Sequence, residues 1–205
     1  YLRVSGWFMR AKYAVLVLLF VYLTVMLTAY RSYITYDNLA YLLRDFGSSG
    51  NINSGFSDVT YDEQNNMSVC VYKGALAVAG NSSVTLYDSS ASKMFTYPSG
   101  MDSPVIVPSG KYLLAYDLGG TPYSLYTNLT RVFSREADSV IENADISDSG
   151  EFVLVRRARD SRYVISYYNS SFECEADYYK SKCVTDVSLS DDGKKILIVT
   201  LDTAG

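Results

Sequence analysis

The sequence predicts an all-β fold: an incomplete β-propeller of about three and a half four-stranded blades, preceded by a single transmembrane helix and a short amphipathic helix. Three observations predict it. A polar turn followed by an apolar strand recurs around Gly110, Gly150 and Gly193, at separations of 40 and 43 residues, and a period of this length with paired short strands inside it is the mark of propeller blades. Short β-branched and aromatic runs alternate with Gly, Asn, Asp and Ser punctuation through the body. No long helical period follows Gly47, whereas Tyr13 to Tyr30, YAVLVLLFVYLTVMLTAY, runs 18 residues without a charge.

The head comes first. An uncharged run of this length just reaches across a hydrocarbon core of about 30 Å. Trp7, Phe8 and Tyr13 lie on one side of it and Tyr30, Tyr33 and Tyr36 on the other, where amphipathic rings favour the membrane interface. Arg3, Arg10 and Lys12 precede the run and Arg31 alone follows closely. The positive-inside bias then places the N-terminus in the cytoplasm and the body outside the cell membrane, as a single-pass protein. A cleaved signal peptide and a buried core helix are the competing readings. The expected organisation is a cytoplasmic stub and anchor at 1–36, a short helix and linker at 37–55, and an extracytoplasmic propeller fragment at 56–205. The chain starts at Tyr1 and stops at Gly205 just after a strand, so the expectation is a fragment open at its C-terminus and at its N-terminus.

Thr35 to Gly47 reads as the amphipathic helix. Asp37 caps it, and Leu39, Leu42, Leu43 and Phe46 share one face. Ser48 to Gly55, SSGNINSG, has almost nothing to bury and reads as a flexible linker.

The body is then taken blade by blade. The first, Phe56 to Pro98, holds strands at Met67–Tyr72, Ala75–Ala79, Ser83–Tyr87 and Met94–Tyr97. The second, Met101 to Glu136, holds Val105–Val107, Tyr112–Tyr116, Tyr123–Tyr126 and Arg131–Ser134, with a turn at Leu118–Pro122. The third, Ala137 to about Lys180, holds Glu151–Arg157 and Arg162–Tyr168. The fourth begins near Val184 and includes Ile196–Leu201.

The turn Ser190 to Lys195, SDDGKK, resembles the "DGK" hairpin of WD-like and TolB-like propeller repeats. Ser149-Gly150-Glu151 and Ser109-Gly110-Lys111 are degenerate copies, and Asp191, Ser147 and Val107 occupy or neighbour a slot where those repeats often carry Pro. The resemblance covers about 150 residues and concerns architecture alone. A β-sandwich or another β-solenoid also uses short strand-turn-strand repeats. The whole layout resembles an uncharacterised family of single-pass, propeller-like envelope proteins of Gram-positive bacteria. That resemblance implies an address and no catalytic residues.

Composition excludes several classes. The net charge of -4 argues against nucleic acid as a partner. Arg3, Arg10, Lys12 and Arg31 all precede Asp37, the first acidic residue, which leaves the remainder with 14 of the 18 basic residues and all 22 acidic ones. A basic apolar head and an acidic body are different physical objects. His is absent, which removes a Ser-His-Asp triad and every His-based metal site from these residues. Asp145 to Gly150 mimics the start of a calcium loop, but its twelfth position is Arg156 instead of Glu. Asp145, Asp148, Asp186 and Asp191 sit on corresponding blade edges, where paired acids for glycoside hydrolysis compete with solvated turn acids. Gly119-Gly120 joins two strands and so is no phosphate loop. No cofactor is expected.

Cys174 and Cys183 are expected either to close a disulfide loop, leaving Cys70 odd, or to stay free with it; Cys70 reads as a small buried core residue. Asn66, Asn81, Asn128 and Asn169 head sequons, which matter only in a eukaryotic secretory pathway.

The candidate ligand surface is Arg156, Arg157 and Arg159 with Tyr163 and Tyr167. The arginines, with Arg162, bracket a blade turn and suit a carboxylate or an anionic envelope polymer. The bland alternative is a solvated turn balanced by Asp160. The tyrosines offer rigid area with a hydroxyl, or are simply good strand residues. Two functional readings follow. One is a membrane-tethered binding or scaffold module whose partners are the bilayer, through residues 13–30, and a protein or cell-envelope polymer. The other is the propeller portion of a membrane-anchored, dipeptidyl-peptidase-like hydrolase with its catalytic domain beyond Gly205.

Overall fold

The computed structural model describes residues 2–29, 66–159 and 161–202. The chain divides into two units, residues 1–52 and 53–205.

In the first unit, α1 spans Leu2–Ala29. Its side chains from Lys12 to Val25 are exposed on every face, Leu16, Leu19 and Leu23 by 54%, 55% and 48%. Among the described residues no helix is long and apolar enough to cross a membrane. The single transmembrane helix expected at Tyr13 to Tyr30 is therefore not supported by the described residues. The short helix expected at Thr35–Gly47, the linker after it and the start of the first blade, 56–65, lie outside the described residues.

The second unit is all-β. Its strands are β1 Met67–Tyr72, β2 Ala75–Gly80, β3 Ser83–Tyr87, β4 Lys93–Pro98, β5 Pro104–Pro108, β6 Leu113–Asp117, β7 Pro122–Tyr126, β8 Arg131–Glu136, β9 Ile141–Ile146, β10 Phe152–Arg157, β11 Tyr163–Tyr168, β12 Cys174–Lys180, β13 Cys183–Leu189 and β14 Ile196–Leu201. They form three four-stranded antiparallel meanders, β1 to β4, β5 to β8 and β9 to β12, and one two-stranded sheet, β13–β14. Three and a half blades was the expectation, and the described strands match it.

Each blade places its first strand beside the next one's first strand: β1 lies against β5, β5 against β9 and β9 against β13. The central strands are buried on both faces. In β6, Leu113 and Ala115 enter the core shared with the first blade, whereas Leu114 and Tyr116 enter the core shared with the third. In β10, Phe152 and Leu154 face the second blade and Val153 and Val155 the fourth. Side chains alternate across a strand, so burial on both faces demands a continuous apolar run, which LLAY and FVLV supply. The outer strands β8 and β12 are mostly exposed, whereas Met94, Phe95 and Tyr97 of β4 pack on the first core.

The turns at Gly110, Gly150 and Gly193 are equivalent: each joins the first and second strands of its blade. Gly150 and Gly193 have φ of 103° and 69°, a region that costs a side chain energy. A Cβ at Gly150 would also collide with Tyr112, and one at Gly193 with Glu151. The turns of successive blades are thus pressed together.

Candidate functional site

The repeat gives each blade one polar contact between its third and fourth strands. Thr85 Oγ1 lies 3.1 Å from Thr96 Oγ1, and Ser124 Oγ donates to Ser134 Oγ at 3.0 Å. In the third blade the equivalent pair is Ser166 and Asp177, at 2.5 Å. The strand register makes these positions equivalent, since Thr85, Ser124 and Ser166 oppose Val78, Ala115 and Leu154.

Only the third blade's pair carries a charge, and it has a counter-charge. Arg156, 7% exposed, donates from Nη2 to Ser166 Oγ at 2.6 Å and lies 3.8 Å from Asp177 Oδ1. Its Nη1 is 3.5 Å from Asp138 Oδ2, on a side chain 98% exposed. Its buried Nε has no hydrogen-bond partner. Arg156 stands four residues after Phe152, the position Asp117 holds after Leu113 in the second blade. Asp117 serves the backbone there, accepting from the Ser103 N–H at 2.6 Å. One register position therefore holds an acid in one blade and a base in the next.

An open cavity of about 370 Å³ lies over this network, lined among others by Arg156, Arg157, Arg159, Asp138, Asp177 and Tyr179. Arg157 is two-thirds exposed and pairs with Glu142. Arg159 is exposed. The structure thus brings together the three expected arginines and gives them unequal roles. Arg156 is an internal tie across β10, β11 and β12, while Arg157 and Arg159 belong to the surface. Asp160, expected to balance them, lies outside the described residues; Asp138, Asp177 and Glu142 meet them instead.

Of the two tyrosines, Tyr163 stands directly opposite Arg157 across β10 and β11, while Tyr167 lies four residues further along β11. Tyr163 and Tyr167 pack on the core between the third and fourth blades. Tyr163 Oη is 3.5 Å from Cys183 Sγ, and Tyr167 Oη donates to the Gly193 carbonyl at 3.3 Å. Tyr167 lines a second cavity, of about 360 Å³, with Tyr178, Ile196, Gly193 and Glu151. Alternation along β10 and β11 is the reason: Arg156 and Ser166 point to one face of the sheet, Tyr163 and Tyr167 to the other. One continuous surface of Arg156, Arg157, Arg159, Tyr163 and Tyr167 is not what forms.

Three of the four acids considered for hydrolysis serve the backbone. Asp145 Oδ2 accepts from the Leu189 N–H at 2.7 Å, Asp148 Oδ1 from the Gly110 N–H at 2.5 Å, and Asp186 Oδ1 from the Val187 N–H at 2.9 Å. Each of the first two pins an adjacent blade. Among the described residues no group of three or more His, Cys, Asp or Glu is placed to hold a metal ion. The three cysteines are free, so Cys174 and Cys183 do not close a loop, and Cys70 is half-buried against the first core. Burial pushes the Cys70 and Cys174 thiols up, and Asp177 adds to this at Cys174. Raised thiols are poor nucleophiles at neutral pH. Asn128 is 1% exposed, which closes that sequon to a glycan.

A family model described as a family of unknown function, DUF5711, matches residues 54–205. The chain belongs to this family. The match covers the β body from end to end. No curated protein matches the chain. Among solved structures it is similar to Hsv2p of Kluyveromyces lactis, a β-propeller protein, with a TM-score of 0.51 and 10% identity over 70% of this chain and 47% of that one. It is also similar to BBS1N, solved in complex with ARL6DN, with a TM-score of 0.44 and 16% identity over 65% of this chain and 46% of that one. The chain thus spans about half the length of each. The likeness to Hsv2p supports the propeller-like fold and nothing about ligands.

Proposed function

We propose that this DUF5711 chain is a binding or scaffold module whose propeller-like body presents a rigid surface to a protein or cell-envelope ligand. One observation carries the reading: the third blade replaces the neutral hydroxyl pair of its neighbours with a charged Arg156–Ser166–Asp177 network under an open cavity. A repeat protein that breaks its own pattern at one blade marks that blade for a role beyond packing. Arg157 and Arg159 at the cavity rim are the groups that would meet an acidic ligand, and Asp138, solvated and 3.5 Å from Arg156, is the group such a ligand would displace.

The test is binding of the chain to immobilised polyglutamate, with polylysine as control. Binding that weakens with salt and falls in Arg157→Glu and Arg159→Glu supports the proposal. Equal binding by the charge-reversed variants overturns the arginine rim as the ligand face.

The proposal extends to the address. Residues 13–30 tether the body to a membrane, with the N-terminus cytoplasmic and the body extracytoplasmic. Its support is the uncharged run with basic residues before it. Carbonate-resistant pelleting of the chain with cell membranes, lost on Leu19→Asp with Leu23→Asp, tests it. Recovery of the parent chain in the supernatant would rule the tether out.

A further inference from the structure

Arg156 is a buried charge with too few partners. Its side chain is 9% exposed, so each N–H it carries needs an acceptor. Among the described residues one hydrogen bond serves it, from Nη2 to Ser166 Oγ at 2.6 Å, and the buried Nε has none. At Nη1 the neighbouring carboxylate is Asp138, 3.5 Å away on a side chain 98% exposed. A charge-assisted pair normally closes to about 2.8 Å. The guanidinium thus meets the 370 Å³ cavity under a loosely held, solvated acid.

The walls of this cavity belong to the third blade and the connection that leads into it. Arg156, Val164 and Tyr179 stand in one row across β10, β11 and β12. They share the face that Leu154 turns toward the second blade, since side chains two residues apart on a strand point the same way. Asp138 and Ser139 close the row from the connection between β8 and β9. Both of these blades have four strands. Arg156, Arg157 and Arg159 are met here by Asp177, Glu142 and Asp138. Asp177 and Glu142 are held by hydrogen bonds from Ser166 and Arg157, Asp138 by its long contact to Arg156. One incoming carboxylate therefore replaces Asp138 charge for charge. Beside the guanidinium, Val164 is 6% exposed and Tyr179 66%, an apolar wall one to two strand spacings, about 5–10 Å, from Arg156. A group that meets both carries a carboxylate and an apolar side chain on the same atom. The last α-carbon of a peptide does so. An Asp or Glu side chain holds its carboxylate at the tip, with no apolar group beside it.

We infer that this cavity captures the free C-terminal carboxylate of a peptide chain that ends in an apolar residue. The carboxylate takes the place of Asp138 at Arg156 Nη1, beside Arg157 and Arg159, and the apolar side chain packs on Tyr179 over Val164. This capture rests on the arginine rim being the ligand face, as proposed, and gives that face its ligand.

A fluorescein-labelled peptide SGSGL with a free carboxyl end, titrated into the 205-residue chain by anisotropy, tests this beside its C-terminal amide and beside SGSGG. Binding is expected to be saturable, weaker by about tenfold or more for the amide, and weaker by about fivefold or more for SGSGG. Asp138→Asn is expected to tighten the free-acid peptide by about threefold or more and to leave the amide unchanged, because the competing internal carboxylate is gone. Tyr179→Ala is expected to bring SGSGL down to the affinity of SGSGG. Equal binding of acid and amide, or no tightening in Asp138→Asn, overturns the capture of a chain end. If SGSGL does not bind while polyglutamate binds through Arg157 and Arg159, the chain-end assignment falls and the arginine rim stands. If neither binds, both fall.

Discussion

The backbone N–H of Gly110 donates to the Asp148 carboxylate at 2.5 Å, tying the first turn of the second blade to the first turn of the third. The next turns repeat the contact in another form, with Ser149 Oγ donating to the Asp191 carbonyl at 3.4 Å. Tyr72 Oη extends the chain backward by donating to the Lys111 carbonyl at 2.7 Å. These bonds fix the pitch between blades whose cores are otherwise non-directional.

Asp148→Ala removes the acceptor from the Gly110 N–H. The contact is exposed, so the loss is expected to be about 1 kcal/mol, with Asp148→Asn keeping part of it because an amide oxygen still accepts. Urea melts of the two variants check the order. Equal stability of both variants and the parent would show that the bond is incidental.

Phe152 is fully buried and stacks on Tyr168 with ring planes 3° apart. Phe152→Ala is expected to cost about 3–5 kcal/mol, a large share of the roughly 5–15 kcal/mol of an ordinary domain. Val132→Ala, on the exposed outer strand, is expected to stay within about 0.5 kcal/mol. Thermal denaturation followed by circular dichroism reads both.

Arg156→Ala leaves Asp177 without its counter-charge and Ser166 without its donor. The expected cost is about 1–2 kcal/mol, because Asp177 is itself exposed and the main loss is the hydrogen bond to the buried Ser166. Asp138→Asn is expected to cost almost nothing, since Asp138 is solvated. If the two variants melt alike, Arg156 is not the internal tie that its burial implies.

Stability is expected to fall at both ends of the pH scale. Burial alone would raise the Glu151 carboxyl, but hydroxyl donors from Ser149 and Ser147 outweigh it and hold the group below the usual range. A depressed carboxyl contributes stability above its unfolded pKa, and that contribution is lost as pH falls through the folded value. At the other end, burial raises Tyr116, Tyr123, Tyr126 and Tyr168 above the ordinary tyrosine range. Raised groups stabilise fully below the unfolded pKa of about 10, and the contribution disappears as pH rises beyond it. Melting temperature against pH checks this, with Glu151→Gln flattening the acid limb only. Tyrosinate absorbance that appears in step with unfolding, and not before it, checks the alkaline limb.

Most strands were legible in the sequence because their pattern is local; β9, β12 and β13, whose runs IENADI, CEADYYK and CVTDVSL carry charged residues, were not. LLAY and FVLV have to be buried on both faces, and Gly150 and Gly193 have to turn, whatever lies around them. The period from Gly110 to Gly193 similarly places three equivalent hairpins before any contact is known. The candidate site was legible only as residue types. Arg156, Arg157 and Arg159 are neighbours in sequence, but strand alternation sends Arg156 inward to Ser166 and Asp177 and leaves Arg157 outside with Glu142. Asp177 lies 21 residues from Arg156, and only the pairing of β11 with β12 brings it there. The same alternation carries Tyr163 and Tyr167 to the opposite face, where they pack on the core between the third and fourth blades. A one-dimensional pattern specifies which side chains must be hidden, because hydrophobic burial is non-directional. Which charges meet depends on register between strands distant in the chain, and the tertiary structure alone decides that.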